Sequence, residues 1–347
     1  MLSDELLNYA KKLGFGELFF KVDQVNHLCA IVAIHSTHLG PALGGCRFVE
    51  YKSIDLAIHD ALRLAQGMSY KAALAHLPLG GGKTVLMRPK EISDRSAYFR
   101  SVGRFVNEFK GRYIIAMDSG VIIEDMDAIA LETPYVVTTS KHKGNPAPYT
   151  ALGVLYGIEA AVKFKLHRDQ LEGIHVAIQG MGHVGFALAN ALLKKGARLT
   201  ICDNNIELIK PYARDLKATV VNPREIYAVK CDVFSPCALG GVLNDKSIAQ
   251  LNTEIVAGAA NNQLAEPYHA EILRKKQILY APDYVINAGG LIYAYAEYQN
   301  RLNRECVVQY ISKIYSTLLG IFKCADREDK PPSMVADSLA ESRLNST

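Results

Sequence analysis

One hexapeptide constrains this chain more than any other feature: Gly180-Met181-Gly182-His183-Val184-Gly185 follows directly on the strand-like run HVAIQ and opens a helical pattern. The residues beyond it place Val184, Ala187, Leu188, Ala191 and Leu192 on one helical face. A G-x-G-x-x-G alone is weak; between a strand and a helix it specifies a dinucleotide-binding turn. The first glycine permits the tight turn, the second lets backbone approach a pyrophosphate, and the third allows close packing of helix on strand. The amide-lined helix start favours phosphate. Gly180, Met181, Gly182, His183, Val184 and Gly185 are therefore candidate cofactor-binding residues. Asp203 ends the next apolar run, RLTICD. An acid there accepts hydrogen bonds from the adenosine ribose and repels a 2′-phosphate, so the expected cofactor is NAD rather than NADP. Asn204 and Asn205 offer no compensating positive charge.

Around this turn the second half repeats short apolar runs, IHVAIQG, RLTICD, ATVV, DVFSP, EIVAGA and ILYAP, separated by helical or turn segments. Such alternation implies a doubly wound parallel sheet. The first half reads differently. GELFFKVD, HLCAIVAIH, LGGCRFVE, KTVLM and RYIIAMD read as strands of a mixed sheet, alternating with two amphipathic helices. One helix carries Ile54, Ile58, Ala61, Leu62 and Ala65 on its apolar face; the other carries Phe99, Val102, Phe105, Val106 and Phe109. TTSKHKGNPAPYT, with its glycine, prolines and polar residues, reads as the hinge between the halves. The expected fold is α/β: an N-terminal α/β substrate domain with a mixed sheet, a Rossmann-type doubly wound dinucleotide-binding domain, and a cleft between them. The substrate and oligomerisation domain is expected over residues 1–140, completed by a C-terminal helix at 310–347, and the NAD-binding domain over 141–309. The polar tail REDKPPSMVADSLAESRLNST reads either as a short docking helix or as disordered chain.

Composition narrows the function by exclusion. Thirty-nine basic and 35 acidic residues, a net charge of +4 without blocks of like charge, do not point to nucleic acid. No apolar run approaches the roughly 18 residues of a membrane span, and the start MLSDELLNYAKK lacks the basic and apolar regions of an export signal. A cytoplasmic protein with no membrane partner is expected. The seven cysteines form no C-x-x-C pair and read as reduced core thiols. Without paired Cys/His spacing no metal is expected. Gly80-Gly81-Gly82-Lys83-Thr84 resembles a phosphate loop, but that motif requires glycine at position 77, which is Leu77. Three glycines before Lys83 instead imply a backbone brought close to something small.

Further segments are specific in combination: Gly40-Pro41-Ala42-Leu43-Gly44-Gly45, Met68-Ser69-Tyr70-Lys71-Ala72-Ala73, LPLGGGKTV, Ala116-Met117-Asp118-Ser119-Gly120, GNPAPYTALGV, GMGHVG and PDYVINAGGLI. In this order they resemble the leucine/phenylalanine/valine dehydrogenase family, itself similar to glutamate dehydrogenases, and look most like its leucine branch. The resemblance covers roughly residues 10 to 320. It implies NAD-dependent, reversible oxidative deamination of an apolar L-amino acid to a 2-oxo acid and ammonia.

The chemistry asks for the residues that the resemblance supplies. A substrate carboxylate needs a fixed cation, and Lys71 matches the family's carboxylate binder. Loss of hydride from Cα leaves an iminium that water must attack, which needs a base; Lys83 matches it. Asp118 matches the aspartate that exchanges protons with the amino group. The resemblance also implies cofactor contacts for Thr150, Ala238, Asn261 and Asn287. It places Gly44 and Asn262 at the substrate and Leu43, Met68, Ala116, Leu291 and Ala294 around its side chain. All five wall residues are apolar, so the second carboxylate of glutamate would be buried unpaired, at a cost on the order of several kcal/mol. Leucine, valine or isoleucine is the expected substrate. The alternatives are phenylalanine or another aromatic amino acid, a catalytically silent NAD-binding scaffold, and a two-domain oxidoreductase of different chemistry. Two departures from the leucine enzymes stand out: Met117 replaces an acid, and Leu291 with Ala294 replaces two valines, which would admit an aromatic ring. The apolar strands GELFFKVD and HLCAIVAIH, expected at a sheet edge, and the family's habit imply a homo-oligomer, dimer or octamer.

Overall fold

The strand runs of the first half close into one mixed sheet. The structure, a computed structural model, describes residues 4–14, 17–142, 145–301 and 303–346. In chain order the first part contains α1 (Asp4–Lys12), β1 (Glu17–Asp23), β2 (Leu28–Ser36), β3 (Ala42–Val49), α2 (Ile54–Leu74), β4 (Gly80–Met87), α3 (Arg95–Asn107), β5 (Tyr113–Met117) and α4 (Ile123–Ala130). Its sheet runs β1-β2-β4-β3-β5. β1, β2 and β4 pair antiparallel, while β3 pairs parallel with both β4 and β5. β2 is an interior strand, so of the two apolar N-terminal strands only β1 lies at an edge.

Period-two alternation gives this sheet two apolar faces. Ile31, Ala33 and Val85 pack on Ala57, Ile58, Ala61, Leu62 and Ala65 of α2. Val32, Ile34, Cys46, Phe48, Tyr113 and Ile115 pack on Phe99, Val102, Phe105, Val106 and Phe109, at or just beyond α3. The expected helix faces are thus buried, apart from Ile54, which is 46% exposed at the first turn beyond the Ser53 cap.

The second part contains α5 (Ala147–Leu166), β6 (His175–Gln179), α6 (His183–Lys194), β7 (Arg198–Cys202), α7 (Ile206–Asp215), β8 (Thr219–Val220), β9 (Cys231–Pro236), α8 (Asp245–Gln250), β10 (Thr253–Val256), α9 (His269–Lys275), β11 (Leu279–Tyr280), α10 (Asp283–Ile286), α11 (Gly289–Tyr298), α12 (Arg304–Glu328) and α13 (Pro332–Asn345). Its strands order as β11-β10-β9-β6-β7-β8, all parallel. This is the Rossmann arrangement, with the order reversing between β6 and β9.

The chain divides into two compact units, Met1–Gly144 with Ala294–Leu302 and Ala340–Thr347, and Asn145–Tyr293 with Asn303–Leu339. Lys143 and Gly144 of the expected hinge lie outside the described residues. The C-terminal helix expected to complete the first domain from residue 310 onward falls largely in the second unit. The physical reason is a groove on α5. Gly153 and Gly157 lack side chains where Ile314 and Leu318 of α12 press in; an added Cβ would meet their Cδ1 atoms at 2.8 and 2.9 Å. Phe164 and Phe322 add a ring contact at 5.6 Å. Of this segment only the residues from Ala340 onward join the first unit, beginning with the end of α13.

All seven cysteines are free thiols. Burial pushes the Cys46 thiol up, Cys231 to about 11 and Cys202 to about 12, which keeps them unreactive near neutral pH. Cys306 is exposed. Cys29, Cys237 and Cys324 are half-buried. Ellman's reagent is expected to react fastest at Cys306, a phase lost in Cys306→Ser, and to reach Cys46, Cys202 and Cys231 only on unfolding. A fast phase that survives the substitution would contradict this burial pattern.

Candidate functional site

In the first unit, side chains of alternate residues on β3, β4 and the end of β5 converge on the sheet face that packs against α2. Lys83, 5% exposed, projects from the middle of β4 and donates to Asp118 Oδ2, just past the end of β5. Gly45 lies against this pair. A Cβ there would come within 2.7 Å of Asp118 Cβ and 3.1 Å of Lys83 Nζ. Burial raises the proton affinity of Asp118, but Lys83 and Arg47 outweigh it and hold the carboxyl well below the usual carboxylate range. At neutral pH Asp118 is ionised.

The three glycines before Lys83 serve this placement. They approach other parts of the chain: an added Cβ would strike Ser36 O at 1.8 Å from Gly80, Ser69 N at 2.1 Å from Gly81, and the Tyr113 ring at 2.7 Å from Gly82. Gly44 is closed in the same way, by Gly82 O at 1.9 Å, and its carbonyl accepts from the Tyr113 hydroxyl at 3.1 Å.

The contact at Gly81 presses the last turns of α2 onto β4, and those turns carry Met68 and Lys71, both half-buried. A cation there also suits the helix C-terminus. Ser69 donates to His35 Nδ1 at 2.8 Å, since His35 Nε2 must carry the proton given to Leu13 O at 3.0 Å. Burial lowers the His35 pKa, consistent with that neutral tautomer. The chain end braces the same turns: Tyr70 donates to Glu341 at 2.7 Å and Arg343 to Ala73 O at 3.0 Å. Leu43 and Ala116 are buried beside each other's strands, at register positions adjoining Gly44 and Gly45. Met117 is 37% exposed.

Sequence reading missed three charged groups here. Arg47 stands 3.4 Å from Asp118, and Asp60 of α2 holds Arg47 from behind. Glu297, 3% exposed, accepts from Thr138 N at 2.6 Å, and Thr138 Oγ1 accepts from Met117 N at 2.8 Å, which anchors the backbone before Asp118. A lone acid inside LIYAYAEY was the only local sign of Glu297.

In the second unit the glycine turn sits at the β6/β9 reversal. Gly180 has φ +95°, and a Cβ on it would meet Ala238 Cβ at 2.7 Å, which places Ala238 across the turn. Gly182 faces open space, whereas a Cβ on Gly185 would lie 2.0 Å from Gly180 O. The three glycines thus differ in their surroundings. Met181 is buried, while His183 is exposed and Val184 half-buried at the helix start. Asp203 accepts from Met181 N at 2.8 Å and Asn205 N at 3.0 Å; each carboxylate oxygen retains a lone pair for a ribose hydroxyl.

Asn287, 5% exposed, donates to Asn261 Oδ1 at 2.7 Å and Ala259 O at 3.0 Å, but its own buried Oδ1 accepts nothing among the described residues. Buried polar atoms are seldom left so, and this one suits the amide of a carboxamide ligand. Asn262 adopts φ +52° and donates its amide to Asp283 at 2.7 Å. Thr150 lies beside Gly290, where a Cβ would meet its Oγ1 at 2.6 Å, one residue from the buried Leu291; Ala294, also buried, belongs to the first unit. An open glycine at a helix start, an acid ending the next strand and an orphaned amide oxygen fit a nicotinamide dinucleotide.

A parallel unit with this turn, in one chain with a half-buried lysine–aspartate pair, has the features of a dinucleotide-dependent oxidoreductase. Residues 18–135 match the Glu/Leu/Phe/Val dehydrogenase dimerisation domain, and residues 203–319 match the Glutamate/Leucine/Phenylalanine/Valine dehydrogenase family. The sequence is 45% identical to leucine dehydrogenase of Geobacillus stearothermophilus over 98% of this chain and 93% of that protein. It is 40% identical to phenylalanine dehydrogenase of Lysinibacillus sphaericus over 92% of this chain and 88% of that one. The crystal structure of L-tryptophan dehydrogenase from Nostoc punctiforme superposes with a TM-score of 0.86 at 41% identity, covering 98% of both chains. The chain belongs to the Glu/Leu/Phe/Val dehydrogenase family and is an amino-acid dehydrogenase.

Proposed function

We propose that the protein catalyses reversible NAD-dependent oxidative deamination of an apolar L-amino acid, leucine, valine or isoleucine first, to the 2-oxo acid and ammonia. The observation that carries this reading is the ion pair of buried Lys83 with half-buried Asp118 beside Gly45, with the turn holding Lys71 pressed onto the same strand. Lys71 holds the substrate carboxylate. Bound NAD supplies the hydride acceptor. The substrate ammonium gives a proton to Asp118 before hydride leaves; Lys83, released from Asp118 and acting as the neutral amine once its own proton has gone to solvent, takes a proton from the water that attacks the iminium carbon, and Asp118 returns its proton to the departing amine. NAD over NADP is supported by Asp203 at the end of β7, with uncharged Asn204 and Asn205 after it.

The apolar residues Leu43, Met68, Ala116, Leu291 and Ala294 support an apolar side chain. A second reading, an aromatic substrate, is favoured by the small Ala294 and by the likeness to the tryptophan dehydrogenase structure. The ion pair speaks against a silent scaffold. A homo-oligomer, dimer or octamer, is supported by Phe20 and Val22, exposed on edge strand β1. Among the described residues no helix is long and apolar enough to cross a membrane.

A spectrophotometric screen of L-amino acids against NAD and NADP tests substrate and cofactor together. NADH is expected to form fastest with a branched or aromatic amino acid and not with glutamate. Preference for NADP, or faster turnover of a substrate without an amino group, would sink the reading.

A further inference from the structure

Arg47 is the least expected charge near the site. On β3, strand alternation puts it on the same face as Gly45. Its Nε lies 3.4 Å from Asp118 Oδ2 and makes no hydrogen bond among the described residues. The far end of the guanidinium is fixed: Nη1 donates to Asp60 Oδ2 at 2.8 Å, and the Tyr51 hydroxyl donates to the same oxygen at 2.6 Å. Arg63 stands 3.8 Å from the other oxygen of Asp60. A row of charges therefore runs from Asp60 through Arg47 and Asp118 to Lys83.

An acid–base carboxylate must be ionised before it takes a proton, and it must stay aimed when its partner leaves. Lys83 cannot meet the second demand, because its amine has to turn to water. Arg47 can: it is always charged, its Nε–H is unengaged, and Asp60 holds it from behind. We propose that Arg47, held by Asp60 and Tyr51, is the standing counter-ion that positions Asp118 and keeps it ionised while Lys83 is detached. The inference rests on the reading of Asp118 as the proton carrier.

The groups facing Asp118 are Lys83 from β4, Arg47 from β3, and Ser119, whose backbone and hydroxyl both point to it; the Cys46 thiol and Tyr113, on the other face of the sheet, are within electrostatic reach. α2 contributes Asp60 through Arg47, and Lys71 in its last turn. Asp125 of α4 faces Cys46. Burial keeps Cys46 and Tyr113 neutral. Of the side chains acting directly, Lys83 and Arg47 are the cations that favour the ionised carboxylate.

The test is the pH dependence of initial rates in Arg47→Gln, with the amino acid preferred in the screen. Removing the cation raises the proton affinity of Asp118, so the acid limb of kcat/KM should move to higher pH by about one pH unit. kcat should fall roughly 30-fold, with KM for the amino acid changed less than about threefold. Arg47→Lys retains the charge without the fork to Asp60, and should restore most of the limb but only part of the rate. Because Arg47→Gln strands Asp60, the double variant Arg47→Gln with Asp60→Asn keeps the charges balanced and decides the matter if the single variant fails to fold. A folded variant with the parental acid limb, whatever its rate, overturns the proposal. Asp118→Asn reads the underlying assignment separately: parental turnover there overturns the role of Asp118 itself.

Discussion

Lys83→Ala is expected to lower turnover by roughly 10²- to 10⁴-fold, the range for loss of a positioned general base. Affinity for NADH should remain, since the glycine turn, Asp203 and Asn287 all belong to the second unit and Lys83 to the first. The substitution also removes one of two cations from Asp118. Arg47 remains at 3.4 Å, so the carboxylate is not left alone. The destabilisation should stay on the order of 2 kcal/mol, within reach of a thermal unfolding measurement. Titration of NADH into the variant by fluorescence, beside steady-state rates, checks both halves. Parental turnover would remove Lys83 from the mechanism. Loss of NADH binding in a folded variant would mean that Lys83 acts on the cofactor instead.

Gly180→Ala is expected to weaken NADH binding by roughly 10- to 100-fold, from left-handed backbone strain of about 1–3 kcal/mol before any clash is counted. The clash adds to it. A Cβ at Gly180 would meet Ala238 Cβ at 2.7 Å and Ala238 N at 2.9 Å, and backbone cannot rotate aside. The informative contrast is Gly182→Ala. Nothing lies within 4 Å of that added Cβ, so the methyl enters only the space left to a ligand. Gly180→Ala should lower both the thermal midpoint and NADH affinity, whereas Gly182→Ala should lower affinity alone. If Gly182→Ala binds NADH like the parent, the pyrophosphate does not pass over this turn.

The two halves of the site were unequally legible. The turn at Gly180 could be read because its determinants are contiguous: strand, three spaced glycines and helix follow one another, with Gly180 at φ +95° and Gly185 closed against Gly180 O five residues back. The triple glycine before Lys83 was visible but its purpose was not. It implied an approach to something small, and the neighbours prove to be Ser36, Ser69 and Tyr113, which only strand pairing and the α2 contact bring there. Arg47 and Asp60 read as ordinary charges on a strand and a helix, because a polar residue in an alternating pattern is usually solvated. Their pairing spans two elements, and nothing local announces it.

The end of the chain makes the same point. α12 has a helical apolar stripe, Val307, Ile311, Ile314, Leu318 and Phe322, which could in principle cover either unit. The glycine groove on α5 receives it. By itself the sequence determined what depends on short-range periodicity and backbone freedom: the alternating strands, the helix faces, the dinucleotide turn and the pattern of lysines and aspartate. Tertiary structure alone decided which face of the mixed sheet carries that pattern and which half-buried charges stand behind Asp118. Burial makes an ion pair strong, and burial is a property of elements packed together, not of any one of them.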